Sequence, residues 1–197
     1  MIPTEPIWKS LVVETLQPIF SPQQCQMVID KGLSLKAEQA KVGMGRETKN
    51  KEEPDLKKRM STISWIPFKE MPEMYKQIEG EMIRANNNHF GYDGMQLTEP
   101  AQFTEYRAPT GHYTWHMDCD ILGIKQPPVR KISMTLLLSD PATFEGGELE
   151  FMQKGKTAKL KQGQAIFFAS WLQHRVKPVT RGERKSLVMW FGGPSFK

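Results

Sequence analysis

The chain has 197 residues, of which 39% are hydrophobic and 25% are charged, with a formal net charge of +5. This composition is that of a folded globular protein, and the length is sufficient for one domain with a sizeable core. It excludes an intrinsically disordered chain, and the sequence has no run of eighteen or more apolar residues that would predict a membrane span.

The two cysteines, Cys25 and Cys119, are far apart and predict neither a disulfide framework nor a zinc ribbon. The N-terminal residues lack the basic region, apolar core and small-residue cleavage site of a secretory signal. We therefore expect a reducing, cytoplasmic location and no membrane partner. The basic charge is spread along the chain without an aromatic-interleaved RNA-binding motif, so a solvated lysine-rich surface is favoured over a nucleic-acid partner.

The first predicted element is a helix that starts after Ser21. Ser21 is a good N-cap, Pro22 suits the first turn, and Gln24 completes the pattern of a capping box. Apolar residues recur at helical spacing behind this start, and Gly32 is the predicted end.

A charged segment and a second helix follow. Residues 45–59 are dense in both charge signs, which predicts an exposed loop and leaves a functional lid as an alternative. Residues 60–66, MSTISWI, alternate like a strand. The next segment has a helical stripe, which we assign to the core and not to a cofactor site. The stripe consists of Met74, Ile78 and Met82.

From about Glu99 onward, short β-type runs alternate with turn signals. Many short strands with regular turns indicate a sandwich, barrel or jelly roll. We therefore predict one domain over residues 1–197, in which residues 1–100 form a helical and mixed support. Residues 101–197 form the antiparallel β core.

His116 and Asp118 are two residues apart in a predicted strand, so their side chains face the same side. His174 follows a later apolar strand, and a jelly roll brings strands that far apart in sequence together. Two histidines and one carboxylate are typical of non-haem Fe(II) oxygenases. A zinc hydrolase is the alternative, because zinc also accepts two nitrogens and one oxygen.

Arg184 lies ten residues after His174, in a strand whose same face carries Ser186 and Trp190. An arginine binds a carboxylate bidentately, and a neighbouring hydroxyl adds a further hydrogen bond. This face therefore indicates a pocket for a carboxylate cosubstrate. Pairing of Arg184 with a structural carboxylate of the chain is the alternative.

These features resemble the Fe(II)/2-oxoglutarate-dependent dioxygenases, and in particular the prolyl and lysyl hydroxylase type with its bacterial and phage PKHD-type branch. The resemblance runs from about Ser21 to Phe191 and is strongest after Gln102. It rests on the segments YRAPTGHYTWHMD, LLLSDPATFEGGELEF and HRVKPVTRGERKSLVMW. The matching positions are Tyr106, Gly111, Tyr113, His116, Asp118, Gly146 to Leu149, His174 and Arg184.

The resemblance implies a mainly β fold with N-terminal helices and a double-stranded β-helix core, of the jelly-roll, cupin-like kind. It implies that His116, Asp118 and His174 are the iron ligands and catalytic residues. It further implies that 2-oxoglutarate binds through its keto-acid end to the iron. The expected contacts of 2-oxoglutarate with the protein are Arg184, Tyr106, Ser186 and Trp190. Oxygen is the second cosubstrate, and ascorbate is compatible as an accessory reductant.

Two positions depart from relatives within this type. Animal oxygen-sensing prolyl hydroxylases have a tyrosine where this chain has Leu137, so Ser186 or Tyr106 is expected to take over that contact. Collagen-type enzymes have a lysine in place of Arg184. The details of the pocket differ accordingly, while the chemistry is expected to be the same.

The predicted function is hydroxylation of an unactivated C–H bond, with a prolyl residue of a peptide or protein as the favoured substrate. Tyr113, Arg107 and Trp115 are predicted to contact it. A free amino acid, a small metabolite or a nucleobase remains open as substrate. A non-catalytic jelly-roll binding module or sensor is the least favoured alternative.

Overall fold

The computed structural model describes residues 11–40, 55–119, 127–152 and 157–196. Most of the charged segment 45–59, including its predicted role as a lid, therefore lies outside the described residues. Most of the loop after Asp118 also lies outside them, including Asp120. Among the described residues, no helix is long and apolar enough to cross a membrane.

Helix α1 spans Pro22–Ser34 and begins at the predicted capping box. The Ser21 Oγ accepts a hydrogen bond from the Gln24 backbone N–H, and the Gln24 side chain accepts one from the Ser21 N–H. Gly32 does not end the helix, in contrast to the prediction. It is needed because a Cβ there would lie 2.3 Å from the Phe103 ring, so its small size allows the helix to pack closely on the sheet.

Helix α2 spans Pro72–Ala85, and its predicted stripe is confirmed as core. Short helical turns precede it at Phe68–Glu70 and follow it at Asn86–Phe90, and another lies at Pro141–Thr143. The stripe residues Met74, Ile78 and Met82 are all buried.

The described residues form fourteen strands, of which the first five precede residue 100. These are β1 (Val12–Glu14), β2 (Glu38–Gln39), β3 (Arg59–Met60), β4 (Thr62–Ile66) and β5 (Gln96–Leu97). The later strands are β6 (Ala101–Arg107), β7 (His112–His116), β8 (Val129–Leu137), β9 (Glu145–Gly146), β10 (Leu149–Phe151), β11 (Ala165–Ala169), β12 (His174–Val176), β13 (Val179–Arg181) and β14 (Glu183–Gly193).

Two antiparallel sheets dominate the fold. The major sheet has the order β1-β11-β8-β14-β6-β4-β2, with β5 also paired to β14. The minor sheet has the order β10-β12-β7-β3, and β13 pairs with β9 separately. Strands from before residue 100 extend both sheets, so the N-terminal half contributes β structure as well as helices. The predicted fold class, mainly β with N-terminal helices and a jelly-roll core, is confirmed.

The major sheet separates two hydrophobic cores. One face packs against both helices, as shown by the cluster that joins Val28 and Ile78 to Phe103 and Met134. The other face packs against the minor sheet, in a cluster that includes Leu137, Phe151, Phe168 and Val176. The layers are thus helices, major sheet and minor sheet, and the predicted site residues Tyr106, Arg184 and His174 lie between the two sheets.

Candidate metal centre and cosubstrate pocket

The predicted triad assembles at one end of the minor sheet. His116 is the last residue of β7 and pairs in register with His174, the first residue of β12. Asp118 lies just beyond β7, and its backbone N–H donates to the Ser170 carbonyl at 2.9 Å. The pairing of β7 with β12 therefore positions both histidines, while the hydrogen bond to the Ser170 carbonyl positions the carboxylate.

The three side chains converge on one point. Asp118 Oδ1 lies 3.7 Å from His116 Nε2, and Asp118 Oδ2 lies 3.6 Å from His174 Nε2. One ligand atom from each of the three residues lies within 4.8 Å of the others. The sequence-predicted grouping is therefore reproduced in space, and its two nitrogens and one oxygen fit a divalent transition metal.

Both imidazole rings are held in the tautomer that metal binding requires. The Nδ1 of His116 lies 2.8 Å from the Thr114 carbonyl oxygen, and the Nδ1 of His174 lies 2.9 Å from that of Leu172. Because a carbonyl oxygen only accepts hydrogen bonds, each Nδ1 carries the proton and each Nε2 has a free lone pair. Both lone pairs belong to the atoms that face Asp118.

The electrostatic environment of the triad favours the binding of a cation. Burial, with the neighbouring His174, lowers the pKa of His116 to about 3, so its ring stays neutral. Burial alone would raise the pKa of the Asp118 carboxyl. His174, His116 and hydrogen bonding from Ser133 and Trp190 outweigh that effect and lower it, so the carboxylate is ionised. The Trp190 Nε1 has no partner with hydrogen-bond geometry, so we regard its effect as the weakest of these.

An ion pair that the sequence analysis did not identify braces the aspartate. Arg130 Nε donates to Glu99 Oε1 at 2.6 Å, and Arg130 Nη2 donates to the other Glu99 oxygen. The guanidinium lies 4.0 Å from the Trp190 ring centroid and reaches the Asp118 carbonyl at 3.5 Å. Nothing in the sequence links Glu99 to Arg130, because their contact depends on strands β6 and β8 lying on either side of β14.

The predicted cosubstrate residues form one buried cluster on the inner face of the major sheet. Arg184 is 3% exposed, donates to Ser186 Oγ at 3.0 Å, and lies with its Cζ 5.7 Å from the Tyr106 ring centroid. Leu137 pairs in register with Ser186. No acidic side chain among the described residues forms an ion pair with Arg184. The alternative of a structural carboxylate partner is thus not supported within the described part of the chain.

Gly147 makes room for this arginine. Its φ of +69° is in the left-handed region, and a Cβ there would lie 2.7 Å from Arg184 Cδ and 2.9 Å from Val179 Cγ2. Gly147 therefore borders the guanidinium stem of Arg184.

The three predicted substrate residues do not share one environment. The ring of Tyr113 stacks on His116, with the centroids 3.4 Å apart, so it borders the triad. Arg107 is 59% exposed and pairs with Glu105 and Glu183. Trp115 is at the surface, where Arg175 covers its ring.

Arg107 and Trp115 lie at the surface and do not border the triad. Arg107 ends β6 with its charge in solvent, where acidic neighbours satisfy it. Trp115 is adjacent to His116 in β7, and adjacent residues of a strand point to opposite faces. Of the three residues, Tyr113 borders the triad, and substrate contact by Arg107 and Trp115 stays a prediction.

Three further features lie outside the triad: His112, Cys119 and a groove between α1 and α2. Both ring nitrogens of His112 lie near backbone carbonyls, those of Thr110 and Lys57, so it is not a fourth ligand. Cys119 is buried. A groove of about 230 Å³ between α1 and α2 lies on the opposite side of the major sheet from the triad.

The sequence analysis also missed a buried arginine beside the triad. Arg59 was assigned to an exposed charged loop, but it begins β3 and is 7% exposed. Its guanidinium lies over the Tyr113 ring at 4.6 Å. A possible signal was its position directly before the alternating residues 60–66, which continue the β structure.

Fold and site together define a double-stranded β-helix protein with a centre of two histidines and one carboxylate. A family model described as the 2OG-Fe(II) oxygenase superfamily matches residues 101–192. Over these residues the chain is similar to that superfamily, whose members use Fe(II), 2-oxoglutarate and O₂, and the triad of this chain fits iron.

Proteins of similar sequence are named PKHD-type hydroxylases. A PKHD-type hydroxylase from Teredinibacter turnerae is 40% identical over 95 residues, which make up 46% of this chain and 42% of that relative. The match therefore spans less than half the length of the relative. A PKHD-type hydroxylase from Nitrosomonas europaea shows the same 40% identity over 98 residues, with 46% of this chain and 42% of that protein covered.

A solved structure shares the fold over nearly the whole chain. The viral collagen prolyl hydroxylase from Paramecium bursaria Chlorella virus-1 superposes with a TM-score of 0.70 at 21% identity, covering 93% of this chain and 96% of that one. At this level of identity the likeness shows the fold alone.

Proposed function

We propose that this chain is an Fe(II)- and 2-oxoglutarate-dependent dioxygenase that hydroxylates an unactivated C–H bond, in a prolyl residue of a peptide or protein. The observation that carries the proposal is the triad, whose three ligand atoms lie within 4.8 Å of one another. This donor set is typical of non-haem Fe(II) oxygenases and leaves coordination positions open for other ligands.

His116, Asp118 and His174 would hold the iron. The two Nδ1 protons are engaged by the carbonyls of Thr114 and Leu172, which fixes the rings, and Ser133 helps to fix the carboxylate. When bound, the iron would supply O₂ activation coupled to decarboxylation of 2-oxoglutarate. The protein supplies the ligand geometry and surroundings that keep water away.

Arg184 would anchor the distal carboxylate of 2-oxoglutarate. It is buried and forms no ion pair among the described residues, and burial lowers its pKa from the ordinary value, although the neighbouring Tyr106 and Glu148 oppose that effect. Ser186 engages one of its nitrogens and orients the fork. A dicarboxylate would offset the cost of the buried charge.

The proposed prolyl substrate is supported by the names of similar proteins and by the site. Relatives are called PKHD-type hydroxylases, and a fold neighbour is a collagen prolyl hydroxylase. Tyr113 borders the triad, with its ring between His116 and the buried Arg59, so its hydroxyl is the group that it can offer to a substrate. Burial raises the pKa of the Tyr113 hydroxyl to about 12, so it remains a neutral hydrogen-bond donor.

The test measures the cosubstrate and the product separately. Purified protein with Fe(II), ascorbate and 2-oxoglutarate should form succinate, and a mixture of peptides and small molecules should gain the mass of one oxygen atom. Mass spectrometry then shows which class of molecule is modified. If no substrate pool ever increases succinate formation, the proposed activity is wrong; if only small molecules are modified, the peptidyl substrate is wrong.

A further inference from the structure

The buried cation Arg59 has only neutral hydrogen-bond partners. Its Nε donates to Ser61 Oγ at 2.8 Å, and its Nη2 donates to Gln102 Oε1 at 2.9 Å. Its guanidinium also covers the Tyr113 ring at 4.6 Å from the centroid. None of these groups carries a negative charge.

Arg59 lies close to the triad, with the Tyr113 ring between them. Arg59 and Tyr113 are paired in register between β3 and β7, and the Tyr113 ring lies flat on His116, at an interplanar angle of 12°. Guanidinium, phenol ring and imidazole therefore form one stack. One aromatic ring separates the Arg59 charge from a proposed iron ligand.

A buried guanidinium without a counter-charge is costly, so the arrangement requires an explanation. Within residues 11–40, 55–119, 127–152 and 157–196, Arg59 forms no ion pair, and its Nη1 donates to no acceptor. The half-buried Arg130 differs in this respect, because it has the carboxylate of Glu99.

Arg59 and Arg184 lie at different ends of the space between the sheets. Gln102, which holds Arg59, and Tyr106, which pairs with Arg184, are four residues apart on the same face of β6. Four residues of extended strand measure about 13 Å. With Arg184 assigned to 2-oxoglutarate, Arg59 is available to a second anion on the other side of the triad.

We propose that Arg59 is the anchor for a free carboxylate of the prime substrate. The substrate class is then an amino or imino acid with a free α-carboxylate, present either as the free molecule or as the C-terminal residue of a peptide. An internal residue offers a neutral carbonyl in place of the carboxylate and leaves the Arg59 charge uncompensated. This inference rests on the proposed dioxygenase function and narrows its substrate.

The experiment compares matched acids and amides. Peptides that end in proline are supplied as the free acid and as the C-terminal amide, together with free proline, and kcat/KM is measured for each. We expect at least tenfold higher kcat/KM for the acid than for the amide, because one charge-assisted hydrogen bond is at stake. The free proline arm distinguishes a free molecule from a C-terminal residue as the source of the carboxylate.

Gln102→Glu is the decisive variant. It is nearly isosteric and would give Arg59 an internal counter-charge, so the acid-to-amide ratio should fall toward one. Arg59→Lys is the second variant, which keeps the charge but loses the fork, and it should reduce the ratio in part. Arg175→Gln removes an arginine that covers Trp115 on the outer face of the same sheet, and it should leave the ratio unchanged.

A substrate survey covers the case in which the target is not proline. A proteolysed lysate, containing peptides and free amino acids, is incubated before and after methyl esterification of its carboxyl groups. The added oxygen should map to residues with a free α-carboxylate and disappear after esterification. Equal use of acid and amide, a ratio insensitive to Gln102→Glu, or oxygen added only to internal residues or to molecules without a carboxylate would each overturn the inference.

The two proposals fail in different ways. Loss of succinate formation with every pool contradicts the dioxygenase function and removes the inference with it. Succinate formation without carboxylate preference leaves the dioxygenase function intact and contradicts the role of Arg59 alone. A purely structural Arg59 would lower thermal stability in its variants and leave the acid-to-amide ratio unchanged.

Discussion

Single backbone carbonyls decide the chemical state of the triad. The Thr114 and Leu172 oxygens are each two residues before the histidine they engage, so the local chain fixes each tautomer without a distant partner. A carboxylate partner would make the imidazole more basic, while a carbonyl leaves it neutral. The local chain therefore presents the Nε2 atoms of both histidines as metal ligands.

Arg184→Lys tests the cosubstrate anchor at the residue scale. Lysine keeps the positive charge but cannot form two parallel hydrogen bonds with a carboxylate, so KM for 2-oxoglutarate should rise about tenfold or more. The affinity for the metal alone should be unchanged. Calorimetric titration of metal and of 2-oxoglutarate separates the two effects.

The control for this variant is Arg181→Lys, at an exposed arginine on the neighbouring strand β13 that pairs with Glu145. It should leave both affinities as they are. An equal loss of metal and 2-oxoglutarate binding in Arg184→Lys would show that the side chain supports the fold and not the cosubstrate.

Sequence reasoning predicted the residues of the site where spacing carried the information. His116 and His174 are neighbours because β7 and β12 pair, and a jelly-roll topology implies such a pairing. Sequence reasoning failed at Arg59, because the charged residues before it indicated an exposed loop and strand β3 is only two residues long. Trp115 was predicted as a substrate contact because it is next to a ligand, and strand alternation points its side chain away from the triad.

Strand β14 is the element that connects the parts of the site. It pairs with both β6 and β8, and its inner face carries Arg184, Ser186 and Trp190 in sequence. Its alternation was visible in the sequence. Its central position in the sheet was not, because pairing partners depend on contacts between distant segments.

Gly147→Ala is predicted to disturb the turn that borders β14. The new Cβ would adopt a φ of +69° and would approach Arg184 Cδ to 2.7 Å, so either the turn or the arginine stem must move. We expect a loss of about 1–3 kcal/mol in the free energy of unfolding together with weaker 2-oxoglutarate binding. Chemical denaturation measures the first effect, and calorimetry measures the second. Destabilisation with unchanged 2-oxoglutarate affinity would show that Arg184 is not displaced.

Gly80→Ala in α2 is predicted to stabilise the protein, in contrast to Gly147→Ala. A Cβ at Gly80 would have no atom within 4 Å, and the position lies inside a helix, where glycine costs about 0.5–1 kcal/mol relative to alanine. The variant should unfold at a temperature about 1–4 °C higher than the parent, with unchanged 2-oxoglutarate binding. A lower unfolding temperature would mean that the helix cannot accept a side chain there.

The whole molecule places its site where two sheets meet and uses the helices as support on the opposite face of the major sheet. The layering could be predicted in outline, because helical and β-type periodicity change along the chain. The contribution of β3 and β4 to the two sheets could not, since short strands next to a charged segment give a weak periodic signal. That contribution is also what brings Arg59 into the space between the sheets.

Metal binding should stabilise the whole molecule, because the triad joins a ligand beyond β7 to one on β12 and exists only in the folded state. A metal at a concentration one hundred times its dissociation constant adds about 2.7 kcal/mol, which corresponds to roughly 5–10 °C in unfolding temperature for a domain of this size. Thermal unfolding with Mn(II) or Co(II), and again after addition of a chelator, measures the shift. His174→Ala should abolish it. His112→Ala should preserve it, because His112 lies outside the triad and its ring nitrogens lie beside the carbonyls of Thr110 and Lys57. An equal shift in both variants would show that the stabilising metal binds elsewhere.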